Sequence, residues 1–510
     1  MARIVIVSNR VSVPDPESGT RAGGLEVALR ATLKTHSCIW FGWSGRVKAA
    51  EKCETRTVRK GDISYVVTDL TREDYQEYYA GFANSVLWPV LHYRLNLVEF
   101  SKRDLSGYLR VNEYFADQLA KLLEPDDLVW VHDYHLIPLA SALRRRGFAN
   151  RIGFFLHIPM PSPDILTALP SHDRLIPSLR DYDLVGFQTD NDAANFARYI
   201  ASELGASLHI SHPLDVGNRQ MRIGVFPVGV ETEDFQNRGR RALKSSFVQG
   251  VIKSVPGAIA IGVDRLDYSK GLLHRLDGFE RFLIANPDWR GRISLLQIAP
   301  KSRSEIQEYI DIGKRMDETV GRLNAIYGDV SWTPVRYVNK GYSRTALAGL
   351  YRAARVGLVT PLRDGMNLVA KEYVAAQDPE DPGVLVLSRF AGAAAELKAA
   401  LLVNPYDAEA IGAAILRALE MPLAERKQRQ GELFTKLLKN DISKWGDVFL
   451  SSLAQGDGTA LDALHTQVLR HRTPTHNPKS TVARSPSAKQ VLPLSASAPV
   501  LPEDCRKARQ

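Results

Sequence analysis

The sequence predicts an α/β protein made of two successive doubly wound domains, each around a mainly parallel sheet. Three observations carry this reading. Short, near-continuous apolar runs recur along the chain, segments of helical periodicity separate them, and the pattern starts afresh after a polar, charged linker near 231–244. Runs that are apolar on both faces belong to strands covered by helices on either side, which is the parallel arrangement. At 510 residues the chain exceeds what one core usually holds, so more than one domain is needed.

In the first series, strands are expected at 4–7, 39–42, 128–131, 152–156, 184–187 and 222–227, with helices at 25–34, 111–123, 138–146 and 193–204. The second series places strands at 258–263, 293–298, 335–338, 356–359 and 384–387, with helices at 272–285, 304–320, 342–354 and 368–376. Helices at 408–420 and 423–440 close it. The domains therefore read as 1–230 and 231–440, followed by a helix at 441–454 that either crosses back to the first domain or packs on the second. From 455 to 510 the chain turns to Pro, Ser, Thr, Ala and basic residues with almost no aromatics, a composition that cannot bury enough surface to order itself and reads as a disordered tail. In folds of this class ligands bind beyond the carboxyl ends of the strands, so the site is expected in the cleft between the domains.

The net charge of +9 comes from 66 basic and 57 acidic residues, and nearly half of the excess lies beyond Leu453. No long run of like charge occurs in the first 450 residues, which argues against nucleic acid and suits a cleft for phosphorylated small molecules. Three cysteines, Cys38, Cys53 and Cys505, are too few and too scattered for a disulfide framework or a zinc site, and fit a reducing cytoplasm. The opening MARIVIVSNR is too short an apolar run for a signal peptide, and no run approaches the ~20 residues that span a bilayer.

The chain is organised around 359–373, VTPLRDGMNLVAKEY, where an apolar run gives way to a polar loop and then to a helix. Asn367 is placed to cap that helix, whose first amides and positive dipole end suit a phosphate, and Gly365 leaves room for close approach. An ordinary strand-to-helix turn has the same look. Asp264-Arg265-Leu266-Asp267-Tyr268-Ser269-Lys270-Gly271 follows another strand, and its two cations suit a diphosphate. A third basic loop, Lys301-Ser302-Arg303-Ser304, implies more than one phosphate. Ser8-Asn9-Arg10 ends the first strand, and Gly23-Gly24 opens the next helix. His132-Asp133-Tyr134-His135 and the His157 segment put polar groups at the ends of apolar strands, where burial is costly unless they are partnered or used. A single buried His is more often a core residue, and no Cys or third His stands near enough in sequence to make a metal site. Asp181-Tyr182-Asp183 precedes a strand and reads as a polar loop.

Taken in order, Ser8-Asn9-Arg10, Ala22-Gly23-Gly24-Leu25, Trp40-Phe41-Gly42-Trp43-Ser44-Gly45, Leu87-Trp88-Pro89, His132-Asp133-Tyr134-His135, 154–159, 265–271 and 360–373 resemble the trehalose-6-phosphate synthase family of glycosyltransferases. The resemblance runs from Arg3 to about Leu453. It implies the GT-B architecture, two Rossmann-like domains facing across a cleft, and retaining transfer of glucose from UDP-glucose to glucose 6-phosphate. It also implies no metal or other cofactor. On the donor side it points to Gly23, Gly24, Arg265, Lys270, Tyr342, Asp364, Leu368, Val369, Ala370, Lys371 and Glu372, with Tyr342 near the uracil and Glu372 on the ribose. On the acceptor side it points to Arg10, Tyr79, Trp88, Asp133 and Arg303, with Tyr78 the neighbour on which that register could slip. His157, Asp364, Arg265 and Lys270 are the catalytic set, His157 for positioning and charge stabilisation. Other nucleotides such as GDP or ADP, a pseudo-sugar acceptor, or a regulatory subunit that only binds sugar phosphate are the competing readings. A homo-oligomer is compatible with all of them, and neither nucleic acid nor membrane is expected as a partner.

Overall fold

The computed structural model describes residues 3–14, 29, 37–49, 53–303 and 305–455, all within one compact unit. Gly23, Gly24, Ser304, most of the expected helix at 25–34 and the tail beyond Gln455 lie outside the described residues. Fifteen strands form two sheets. The first holds β1 (Ile4–Arg10), β2 (Cys38–Lys48), β3 (Thr55–Lys60), β4 (Ile63–Thr71), β5 (Leu128–His132), β6 (Arg151–Phe155), β7 (Leu184–Phe187), β8 (Leu214–Val216) and β9 (Arg219–Val225), in the order β3-β4-β2-β1-β5-β6-β7-β9-β8. Its pairings are parallel except at the two edges, β3 with β4 and β8 with β9. The second sheet is wholly parallel: β10 (Ala258–Val263), β11 (Ile293–Ile298), β12 (Val335–Val338), β13 (Val356–Val359), β14 (Val384–Ser388) and β15 (Leu401–Val403), in the order β12-β11-β10-β13-β14-β15.

That order is the doubly wound one. The chain works outward from β10 in one direction and then from β13 in the other, leaving a crevice beyond their carboxyl ends. In the first sheet the same reversal falls between β1 and β5, which run in register from Ile4 opposite Leu128 to Ser8 opposite His132. The interiors of both sheets are apolar in long runs because helices cover both faces; β11 is buried along its whole length.

Five helices recur below: α1 (Thr232–Ala242), α2 (Leu272–Ala285), α3 (Arg344–Ala353), α4 (Leu368–Ala376) and α5 (Ile442–Gln455). The first of these corrects the expectation of a linker at 231–244. Its charges hide a stripe of buried residues, Thr232, Phe235, Gly239 and Ala242, at the helical period, and Gly239 lets it lie against the carbonyls of Ala348 and Ala376 on α3 and α4. Strands β3 and β8 carry too little apolar signal to stand out, β15 is apolar but only three residues long, and β4, buried over most of its length, also lies outside the expected strands. β3 is an exposed, charged edge, which is how sheets blunt their margins.

Helix α5 returns to the first sheet and packs on β5, β6 and β7. Phe449 stacks on Trp130, 4.7 Å between centroids, and fits because β6 and β7 offer glycines there: a Cβ at Gly153 or Gly186 would come within 2.8 Å of its ring. The buried Arg222 of β9 donates to the Ser452 carbonyl at 2.8 Å. Residues 228–232 and 440–442, where the chain passes between the sheets, lie side by side, and the Thr232 amide donates to Asp441 at 3.1 Å. Phe449 is fully buried, so Phe449→Ala is expected to lower unfolding stability by about 3–5 kcal/mol, read by urea denaturation. A change below about 1 kcal/mol would mean that this helix is not held there.

Candidate active site

The site begins with a buried cation. Arg275 of α2 is wholly inaccessible. Its guanidinium reaches Asp264 at the end of β10 (2.7 Å), Gln297 on β11 (3.0 Å) and Thr360 after β13 (3.1 Å). Gly262 makes room for it, since a Cβ there would lie 2.4 Å from the guanidinium. The loops after β10 and β13 therefore leave the sheet from fixed points on both sides of the crevice. From the first comes Lys270, whose Nζ meets Asp364 Oδ2 of the second at 2.5 Å. Asn367 donates to the same carboxylate oxygen at 3.0 Å and caps α4 by accepting from the Ala370 amide. This leaves the amides of Leu368 and Val369, in the first turn, without intrahelical acceptors.

On the facing sheet, β5 ends at Asp133, held at φ 76°. Burial pushes its carboxyl up to about 6, although the Tyr134 and His157 amides oppose the shift. His157 follows β6, and its Nε2 lies 3.0 Å from Nδ1 of the buried His132. Burial lowers His157 to about 3, so the ring is neutral and offers a hydrogen bond rather than a positive charge. Tyr75–Leu87 is a π-helix, and its wide turn stacks Tyr75 on Tyr79 at 5.5 Å while sending Tyr78 into the core, where it donates to Asn9 at 2.9 Å. The adjacent tyrosines are thereby distinguished. Arg10 lies 5.9 Å from the Trp43 ring centroid in a cradle left by Gly45, where a Cβ would approach its Nε to 2.7 Å.

The two sets meet through arginines on aromatic rings. Arg303, at φ 47°, lies 3.9 Å over Trp88, donates to Tyr134 at 3.0 Å and to Tyr309, and pairs with the buried Asp267 at 3.7 Å. Arg265 is exposed, 5.7 Å from the same Trp88 ring. Burial by itself would raise Asp267, yet Arg303, Arg265 and Lys270 around it hold it down to about 2. Arg363, next to Asp364, stacks at 3.8 Å on Tyr93 of the facing lobe. A cavity of about 330 Å³ opens between the lobes, lined among others by Arg10, Trp43, Tyr75, Tyr79, Arg303 and Glu305. Among the described residues only five non-glycines have positive φ, and Asp133, Arg303 and Asn367 are three of them, a concentration of backbone strain typical of functional sites.

Most of the residues expected from sequence thus gather on this crevice. Tyr342 stands farther along the same strand ends, at the start of α3 against Phe247 and Lys340. Glu372 lies on α4, its carboxyl raised by burial to about 7 against the pull of Arg344. Lys371 sends its side chain away from the crevice, to the Val228 carbonyl and Glu396. Gly365 differs from expectation: the space beside it is filled by the protein itself, since a Cβ there would lie 2.1 Å from the His157 carbonyl oxygen. Asp267, Arg275 and Arg363 were given no role from sequence, although each sits in or beside a basic loop that was singled out.

A crevice at two topological switch points, lined by fixed cations and carboxylates, fits a two-lobed transferase acting on phosphorylated sugars. The chain belongs to glycosyltransferase family 20, whose model matches residues 3–455, and its fold is GT-B. A trehalose-6-phosphate synthase of Sinorhizobium fredii is 52% identical over 457 residues, 89% of this chain and 98% of the relative. Among solved structures, the UDP-forming α,α-trehalose-phosphate synthase of Burkholderia xenovorans in complex with glucose-6-phosphate is 45% identical, with a TM-score of 0.85 over 89% of this chain and 100% of that one. The Escherichia coli enzyme bound with UDP-2-fluoro glucose is 46% identical, with a TM-score of 0.83 over 89% and 99%. Gly365→Ala is expected to part the two loops and lower kcat/KM about 100-fold with the circular dichroism spectrum kept. Unchanged turnover would refute the tight apposition.

Proposed function

We infer that this chain transfers glucose from UDP-glucose to glucose 6-phosphate with retention, giving α,α-trehalose 6-phosphate and UDP. The observation that carries this reading is the convergence of Arg265, Lys270 and Arg303 on one crevice beside Asp133 and Asp364, in a chain that spans a family whose solved members hold glucose-6-phosphate and a UDP-glucose analogue. Arg265 and Lys270 take the donor diphosphate together with the first amides of α4, at Leu368, Val369 and Ala370, and with Gly23 and Gly24. Tyr342 lies by the base and Glu372 takes the ribose hydroxyls. Asp364 holds hydroxyls of the migrating glucose. On the acceptor side Arg10 and Arg303 take the 6-phosphate, with Tyr79, Trp88 and Asp133 around the ring. Three scattered cysteines suit a reducing compartment such as the cytoplasm, and among the described residues no helix is long and apolar enough to cross a membrane.

The chemistry is a same-face exchange. The bond from the anomeric carbon to the diphosphate oxygen breaks as the acceptor's anomeric hydroxyl oxygen attacks from the same side, and its proton passes to the departing diphosphate. Negative charge grows on that oxygen, where Lys270, held by Asp364, and Arg265 stabilise it without reorganising. His157, neutral, positions the glucose by hydrogen bonding. Asp133 accepts from an acceptor hydroxyl, which it does best when ionised above its raised pKa.

Purified protein supplied with both substrates is expected to release UDP and a phosphorylated non-reducing disaccharide, and Lys270→Ala to lower kcat by about 100- to 1000-fold. No UDP release from the wild type would end the proposal. Glu372 bears on pH: a carboxyl raised to about 7 is a strong, charged acceptor for ribose hydroxyls only above that value and keeps a single neutral carbonyl acceptor below it, so UDP-glucose affinity is expected to fall, by at most about tenfold per unit, as pH drops through it. Glu372→Gln should flatten that dependence in a calorimetric titration; a slope that persists in the variant contradicts the assignment.

A further inference from the structure

Lys371 is a full charge at a place where the catalytic reading has no use for one. Its side chain is inaccessible, at 0% exposure, and its partner Glu396 is nearly so, at 10%. Burying an ammonium is unfavourable unless it is fully partnered, and an apolar side chain of that length would fill the space with less penalty. The partners account for the charge. Nζ donates to the Val228 carbonyl at 2.7 Å, on the first passage of the chain between the lobes. It also pairs with Glu396, whose other oxygen accepts from Asn440, on the second passage. The two passages are in turn locked together: a Cβ at Gly229 would fall 2.1 Å from the Asn440 carbonyl oxygen, and Asp441 accepts from the Thr232 amide. The next residue of the same helix, Glu372, faces Arg344 at 3.9 Å, and Arg344 pairs with Glu231 on the first passage at 3.0 Å.

We propose that Lys371 is a positioning residue that couples the nucleotide end of α4 to both inter-lobe passages, so that a nucleoside diphosphate settling on the first turn of that helix fixes the lobes in their reactive disposition. This rests on the reading of α4 as the diphosphate and ribose site. Consecutive residues of one helical turn lead to the same short segment, Lys371 by its hydrogen bond to the Val228 carbonyl and Glu372 through Arg344 to Glu231. A tether through rigid, paired groups transmits a small displacement of the helix, whereas an apolar contact of the same area would slide.

Amide hydrogen exchange of the full chain with and without UDP tests this. In the wild type, UDP is expected to slow exchange about tenfold at 264–271 and also at 228–232 and 440–442. The double variant Lys371→Met with Glu396→Leu removes both charges together, which spares the fold an unpaired buried ion. It should keep the protection at 264–271, lose it at the passages, and show a kcat lowered at least about tenfold with KM for glucose 6-phosphate little changed. Protection at 264–271 without any at the passages in the wild type overturns the proposal, and so does a double variant that still protects the passages. No protection at 264–271 in the wild type removes the nucleotide site itself, and the coupling with it.

Discussion

The site depends on one buried guanidinium. Arg275 binds Asp264 and Thr360, the first residues beyond β10 and β13, and Gln297 near the end of β11; β10 and β13 flank the point where the second sheet reverses direction, and β11 neighbours β10. Lys270 and Asp364 leave from those strand ends and meet at hydrogen-bond distance. Without a partner, a charge at 0% exposure would destabilise the fold by several kcal/mol, and removing one member of such a pair typically costs about 3–5 kcal/mol. The sequence therefore commits Asp264, Gln297 and Thr360 to a structural cation, while Arg265 stands exposed at the crevice.

Two arginines meet across the cleft with different support. Arg303 is held at the cavity wall by Trp88, Tyr134, Tyr309 and Asp267, while Arg265 reaches the same ring from an exposed position with no ion pair of its own among the described residues. The histidines stay neutral because they are buried, so the positive potential comes from groups that cannot lose their proton near neutrality. Glu372, in contrast, titrates within the physiological range.

Much of this was legible in the residues. The strands at 258–263, 293–298, 335–338 and 356–359 and the helices at 272–285, 368–376 and 408–420 fall where periodicity placed them, because buried parallel strands and helices bounded by Gly or Asn leave strong local signals. The loops that gather at the crevice were read from their position after strands, a consequence of topology rather than of any one residue. What stayed hidden depends on long-range packing. Thr232–Ala242 hid its buried stripe under charge, and Lys371 was counted with the donor-side segment because nothing local shows that its side chain turns to Val228 and Glu396. Gly365 signals close approach correctly, but the sequence has no way to say that the approaching group is the His157 carbonyl. Of two adjacent tyrosines, only the π-helical winding decides which one faces the cavity.

Helix α5 carries one more consequence. Phe449 and Trp445 cover Trp130 and Phe155, and Gly153 and Gly186 are shaped to receive Phe449, so the amino-terminal half of the molecule is finished by a segment that follows the whole second sheet along the chain. Residues up to 230 synthesised alone would present a bare aromatic trough. The two halves are therefore not separable modules along the chain, and a gene cut at the apparent boundary would have to carry the final helix with the first piece, as a split or permuted version of the protein.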